Sequence, residues 1–463
     1  KYDLSALNAL DSLNGIQVIS RLHTLGLSRS DLMNPEANMT SLNTNIQSAL
    51  SGLPTQTVQY TGNDVDDLNQ FLQNNTGKIV QLTQDIQVYK NTNGSFGIIM
   101  VPSDTILDGN GHRLVMKAGY TEAPDVGVVL YVYKDGVIPS TNCGVKNLST
   151  DIPYVNSINV FSADNILIEN NTLNNATKSG IMISDEYGST VNGIIRGNTI
   201  NNVGDDAIAV YGNHSNLLID SNRISGAKGF AGIAISCLQN GQQIRVDNET
   251  TGPHDIIVTG NVVSGCSGEA LYCIGSYKTY ITYNTLRDSI LEGVCLDSGC
   301  IGNYFAHNEV VNNGIAGGLP GVSIDNGIYN IVDSNNVYNN SCSGIKLVRT
   351  GLGNIIVNNI CTDNAYNQMG AKSSGIDIEP LAVETENLGY IDGLGSNWNV
   401  VLNNTVTGSH DFGVFIADDD TANNGGSSCE NVIMYNKFSS AYTFGAADFS
   451  SMSSTVKNNI TLN

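Results

Sequence analysis

The chain has 463 residues, 41% hydrophobic but only 14% charged, against about a quarter in ordinary globular proteins. Asp and Glu number 43 and Lys and Arg 21, a formal charge of −22 that is repelled by phosphate backbones and anionic lipid, so nucleic acid and membrane surfaces are excluded as partners. The 49 glycines follow no Gly-X-Y period and there is no run of about twenty apolar residues, which removes collagen and a membrane-spanning helix.

From the N-terminus, Leu4, Leu7, Leu10 and Leu13, then Met39, Leu42, Ile46 and Leu50, fall at helical spacing. Residues 1–55 are therefore expected to form a helical segment that caps the fold or mediates assembly, with residues 56–463 as the main domain. The chain opens at Lys1 with no signal peptide and reads as a mature or trimmed product. The nine cysteines have no close pairing of the metal-site kind, and Cys237, Cys273, Cys295, Cys342 and Cys361 lie in or beside apolar strand segments as small hydrophobes. The six histidines are scattered, so no metal site is expected.

Along the rest of the chain an apolar-x-apolar-x-x-Asn-x-apolar unit recurs, with its asparagine at 171, 198, 222, 261, 284, 308, 335, 358, 404 and 436. Most steps are of 23 to 27 residues, broken by longer ones of 32, 39 and 46. That period fits one turn of a right-handed parallel β-helix, whose strands stack about 4.8 Å apart, and predicts about a dozen coils from near Thr61. The Asn is read as a turn residue in the left-handed region, its amide forming a ladder along the axis. The longer steps place insertions near Gln239–His254, Pro380–Asn397 and Asp418–Ser428, as loops beside one face. Asp418, Asp419 and Asp420 lack a regular calcium-ligand spacing and read as a solvated turn.

A second strand precedes each Asn strand, among them SGIMIS, DAIAVY, EGVCLD, PGVSID, SGIKLV and SGIDIE. Alternation turns its apolar residues inward and sets the residues between them in columns on the outer face. One column runs Met182, Ala209, Ala234, Tyr272, Cys295, Ser323, Lys346, Asp377 and Phe415; the next holds Asp297, Asp325 and Glu379; just before the strands come Glu269 and Glu292. Asp297 and Asp325 are then like charges one coil apart, unfavourable unless a proton, a cation or a substrate intervenes. Exposed sheets also carry acids for solubility. Lys346 and Arg349, set in the coil between the acids, favour the functional reading.

Several segments carry a resemblance. DTILDGNGHRL at residues 104–114, and the helical DDLNQFLQ followed by GKIVQL, resemble the early coils and entry segment of the pectate-lyase-like superfamily of polysaccharide-acting β-helix proteins. The likeness covers roughly residues 60–463 and is specific for architecture. NVGDDAIAV, with Asp205 and Asp206, resembles the paired-Asp segment of polygalacturonases. However, Ser179 stands where that family has its third Asp, and GFAGIAI lacks its His, so the pair reads as turn-stabilising.

Three functions follow. In the first, a glycoside hydrolase needing no cofactor uses the carboxyls of Asp297, Asp325, Asp377 and Glu379 as acid and as base or nucleophile, while Lys346, Arg349, Glu292, Glu269 and Tyr272 hold a polysaccharide or oligosaccharide. In the second, a lyase or uronate epimerase holds Ca²⁺ on the acids and takes the C5 proton with Lys346 or Arg349. The third is non-catalytic, a glycan-binding phage or surface protein. The resemblance implies an extracellular, secreted or virion-surface setting, and a homo-oligomer such as a trimer is compatible with it.

Overall fold

A computed structural model describes residues 34–463 apart from 90–96, 131–139, 187, 240–241, 244–251, 350, 366–373, 381–394, 409, 418–427, 429, 440–443, 450–453 and 463. Leu4, Leu7, Leu10 and Leu13 and most of the three expected insertions lie outside the described residues. Contacts divide the chain into two compact units, residues 39–242 with 252–268, and residues 269–463 with 1–38 and 243–251. Both are parallel β-solenoids in which each coil contributes one strand to each of three faces.

The helix Pro35–Ala49 fits the spacing of Met39, Leu42 and Ile46, and it buries Leu42 and Ile46, as does Leu50 just beyond it. A second helix, Val65–Asn74, starts where the Asp64 carboxylate accepts from the Asp66 N–H at 3.0 Å, and it buries Val65, Leu68 and Leu72. In the first unit the face holding Ile166–Glu169 continues in register through Val191–Arg196, Ser215–Asp220 and His254–Thr259.

In the second unit the face that matters for function is built from Leu271–Ile274, Val294–Asp297, Val322–Asp325, Ile345–Val348, Ser374–Ile378, Phe412–Ile416 and Phe444–Asp448, each paired in parallel with the next. Val294, Val322, Ile345, Ile376 and Val414 stack inward, and all are fully buried. β-branched residues suit such a stack because their single preferred rotamer packs on a pleated surface. The glycine before these residues has a steric reason. A Cβ at Gly375 would stand 2.1 Å from Val406 Cγ1 on a neighbouring face, so the narrow interior has no room for a side chain there.

The asparagine ladder is present, with two corrections. In the first unit Asn171, Asn198, Asn222 and Asn261 form it, each Nδ2 donating to the next Oδ1 at 2.9 to 3.0 Å. In the second unit Asn335 donates to Asn359, which donates to Asn404 in turn. Asn359 is thus the member, and Asn358 instead takes a φ of 58° and points its amide at Asp333. The left-handed residue is also the one before the ladder Asn: Asn170, Gly197, Ser221, His307, Ser334 and Asn358 all have positive φ. That residue turns the chain, which frees the following Asn to point inward. Two more ladders went unread in the sequence, Asn303–Asn330–Asn354–Asn399–Asn431 and Asn313–Asn340–Asn364.

The Asn335 amide is fully used. Asn335 Oδ1 accepts from the N–H and the Nδ2 of Asn308, and its own Nδ2 donates to Phe305 O and Asn359 Oδ1, all at 2.9 to 3.0 Å. Asn335→Ala would leave buried donors and acceptors on two coils without partners, so it is expected to lower unfolding free energy by roughly 2–4 kcal/mol. Urea unfolding measures this, and a loss below about 0.5 kcal/mol, the scale of a surface substitution, would contradict it.

Candidate functional site

The outer columns of this face in the second unit fall in the register that alternation implies. Tyr272 pairs with Cys295, Cys295 with Ser323, Ser323 with Lys346, Lys346 with Asp377 and Asp377 with Phe415. In the neighbouring column Ile274 pairs with Asp297 and Asp325 with Val348. Glu379 lies one residue past its strand but extends the pairing, its N–H donating to Leu347 O at 2.9 Å. Asp297, Asp325, Lys346, Asp377 and Glu379 therefore share one outer face over four successive coils.

Two ionic groups result. Lys346 Nζ lies 2.7 Å from Glu379 Oε2 and 3.9 Å from Asp377 Oδ2. Burial alone would lower the lysine's pKa, but the adjoining Asp377 and Glu379 charges outweigh it and the net shift is upward, so Lys346 is held cationic. Asp377 is 1% exposed; burial, then the neighbouring Glu379, drives its carboxyl far above the ordinary range despite Lys346 and a 3.4 Å contact from the Ser343 hydroxyl. Arg349, just past its strand at a φ of 62°, turns toward the site and sets Nη1 3.3 Å from Asp325 Oδ1, off the angle of a hydrogen bond.

The upstream coils are held differently. Asp297 accepts from the Tyr272 hydroxyl at 2.7 Å and from the Ser298 N–H at 2.5 Å, an arrangement suited to a carboxylate. Burial, then the Asp297 charge, pushes Asp325 up to about 7 against the pull of Arg349 and Lys346. Glu292 reaches about 7 as well, first through burial and then through Glu269, Asp325 and Asp297. Burial likewise raises Glu269. Burial is the leading cause for Asp325, Glu292 and Glu269 alike, and neighbouring carboxylates add to it. Among the described residues no hydrogen bond reaches Glu269 Oε2, Asp325 Oδ1 or Asp377 Oδ1.

One contributor was missed. Phe412, Phe415 and Phe449 form an aromatic cluster next to Asp377, with ring centroids 5.2 and 5.5 Å apart, and Phe449 is 41% exposed. Phe449 N donates to Ile416 O, which continues the column of Glu379 onto the last coils. Its signal was the strand FGAADF, which lacks the inward β-branched pattern used for alignment.

In the first unit the paired-Asp segment is occupied structurally. Asp206 is fully buried and accepts from the Ala231 N–H at 2.8 Å and from the Tyr211 hydroxyl. His214 is also buried; Nδ1 accepts from the Thr190 N–H at 2.9 Å, which leaves Nε2 to donate to Tyr211 O, and burial lowers its pKa to about 4. Eight cysteines among the described residues are buried, and no three Asp, Glu, His or Cys side chains there are grouped to hold one metal ion. Asp418, Asp419 and Asp420 lie outside the described residues. No described helix is long and apolar enough to cross a membrane.

Residues 137–251 match the family described as right handed beta helix region. No curated protein matches the chain by sequence. Among solved structures, a tailspike protein mutant of E. coli bacteriophage HK620 in complex with a pentasaccharide is 15% identical, with a TM-score of 0.50 over 85% of this chain and 73% of that one. The A-module of Azotobacter vinelandii mannuronan C-5 epimerase AlgE6 is 14% identical, with a TM-score of 0.46 over 87% of this chain and 100% of that one. The Streptococcus pneumoniae surface protein and adhesin PfbA is 11% identical, with a TM-score of 0.48 over 86% and 95%. The coil geometry and the matched segment together identify the chain as a right-handed parallel β-helix protein.

Proposed function

We propose that the protein is a glycoside hydrolase acting on a polysaccharide, with Asp325 as general acid and Asp297 as its partner carboxylate. The observation that carries this reading is the contrast between two acids on adjacent coils. Asp325 is held up to about 7, whereas Asp297 accepts two hydrogen bonds. Two neighbouring carboxyls in such different surroundings can divide the roles of acid and base between them. Asp325 would give its proton to the glycosidic oxygen as the bond to the anomeric carbon breaks. Asp297 would either take a proton from the attacking water or attack that carbon itself. Lys346 and Arg349, with Tyr272, Glu269 and Glu292, would orient the sugar. The fold shared with a saccharide-bound tailspike supports the substrate class and a place outside the cell or on a virion.

The lyase or epimerase reading needs a side chain that removes the C5 proton. Lys346, held cationic by Asp377 and Glu379, is suited to binding charge rather than to accepting a proton. Asp325→Asn and Asp297→Asn are each expected to lower the release of reducing ends from a glycan panel by about 10²–10⁴-fold. Retained turnover in both variants would refute the assignment, and unsaturated products absorbing in the ultraviolet would establish elimination instead.

A further inference from the structure

We infer that the acidic face of the second unit takes an uncharged, hydroxyl-rich saccharide and turns away polyuronates and other polyanions. The inference rests on the hydrolytic reading above and narrows its substrate. The first ground is charge. Glu269, Glu292, Asp297, Asp325, Asp377 and Glu379 line consecutive coils, and the two cations among them are committed. Lys346 is taken up by Glu379 and Asp377, and Arg349 stands against Asp325. A uronate carboxylate entering here would meet like charge and would have to pull a cation from its partner.

Hydrogen-bonding capacity gives the second ground. Glu269 is 6% and Asp377 1% exposed, and each has a carboxyl oxygen that no hydrogen bond from a described residue reaches. Such oxygens are stabilised by a ligand that brings O–H or N–H groups, as sugar hydroxyls and acetamides do, and gain nothing from an acceptor-only anion.

A third ground is the aromatic cluster. Phe415 follows Asp377 in its column, and the exposed Phe449 ring lies beyond it on the side of Glu379. An aromatic face packs on the C–H surface of a sugar ring and supplies an apolar contact beside the acids.

The test is affinity electrophoresis of the full chain at pH 7 in gels containing a neutral glucan, a chitin oligosaccharide, alginate or polygalacturonate. Each gel is run with chelator and with calcium, and products are followed by mass spectrometry. The neutral glycans should be retained at least about tenfold more strongly than either polyuronate. The double variant Glu292→Gln with Asp297→Asn should raise polyuronate retention, because it removes acidic groups that repel a uronate carboxylate. Retention of a polyuronate equal to that of the neutral glycans, in either medium, would overturn the inference, as would retention of no neutral glycan. Cleavage of a polyuronate by hydrolysis would overturn it while leaving the hydrolase reading standing. Retention of a neutral glycan without cleavage would support it and remove the hydrolase reading.

Discussion

Glu292→Gln is expected to raise unfolding free energy by about 3 kcal/mol at pH 8 and to leave it nearly unchanged at pH 4. The carboxyl is held at about 7 in the folded chain against 4.5 ordinarily. Between those values the folded state binds a proton that the unfolded state has released. A folded pKa raised in this way makes its contribution fully present below 4.5 and lost as pH rises through 7; at about 1.4 kcal/mol per pH unit of separation the loss is about 3 kcal/mol. Glutamine keeps the shape and does not titrate, so the variant escapes the loss. Urea unfolding of both proteins from pH 4 to pH 8 measures the difference, which should grow across that window and level off above it. A difference that is flat with pH would show that the raised pKa is not realised. Stability held back at an acidic cluster in this manner is a common mark of a working site.

Lys346→Met should have the opposite sign and a larger size. The side chain is 15% exposed and compensates Glu379 at 2.7 Å and the buried Asp377 at 3.9 Å. Methionine fills much of the same volume but leaves both acids without a cation. Removing one partner from a buried pair costs about 3–5 kcal/mol. At pH 5 the penalty should shrink, because carboxyls left without their cation are more readily neutralised by protons there. Lys346→Met combined with Glu379→Gln should recover part of the stability at pH 8, since the demand for a cation falls. Chemical denaturation at both pH values decides the matter, and an equal loss at pH 5 and pH 8 would mean that packing rather than charge holds Lys346 in place.

Much of the site was legible from the chain because two regularities act together. Strand alternation decides which residues face out, and the coil period decides which of those stand side by side, so the column from Tyr272 to Phe415 could be written down without coordinates. Neither regularity reaches past a strand end. Asn358 and Asn359 are chemically identical neighbours, and only the backbone turn decides which enters the ladder. The direction taken by Arg349 likewise depends on its positive φ. The near-complete burial of Asp377 was also hidden, because outward alternation suggests exposure while the flanking Lys346 and Phe415 cover it.

The amide ladder has a consequence for how such a protein diversifies. Asn330 reaches Asn354 over 24 residues of chain, and Asn354 reaches Asn399 over 45, yet the amide contacts are 3.2 and 3.1 Å. The corner therefore closes in the same geometry whatever length of chain departs between its rungs. A segment inserted there is insulated from the register of the coils, so the length of chain between Asn354 and Asn399 could change without disturbing the scaffold. Recognition and architecture would then vary on separate evolutionary clocks, the first rewritten by insertion and the second preserved by a repeated asparagine.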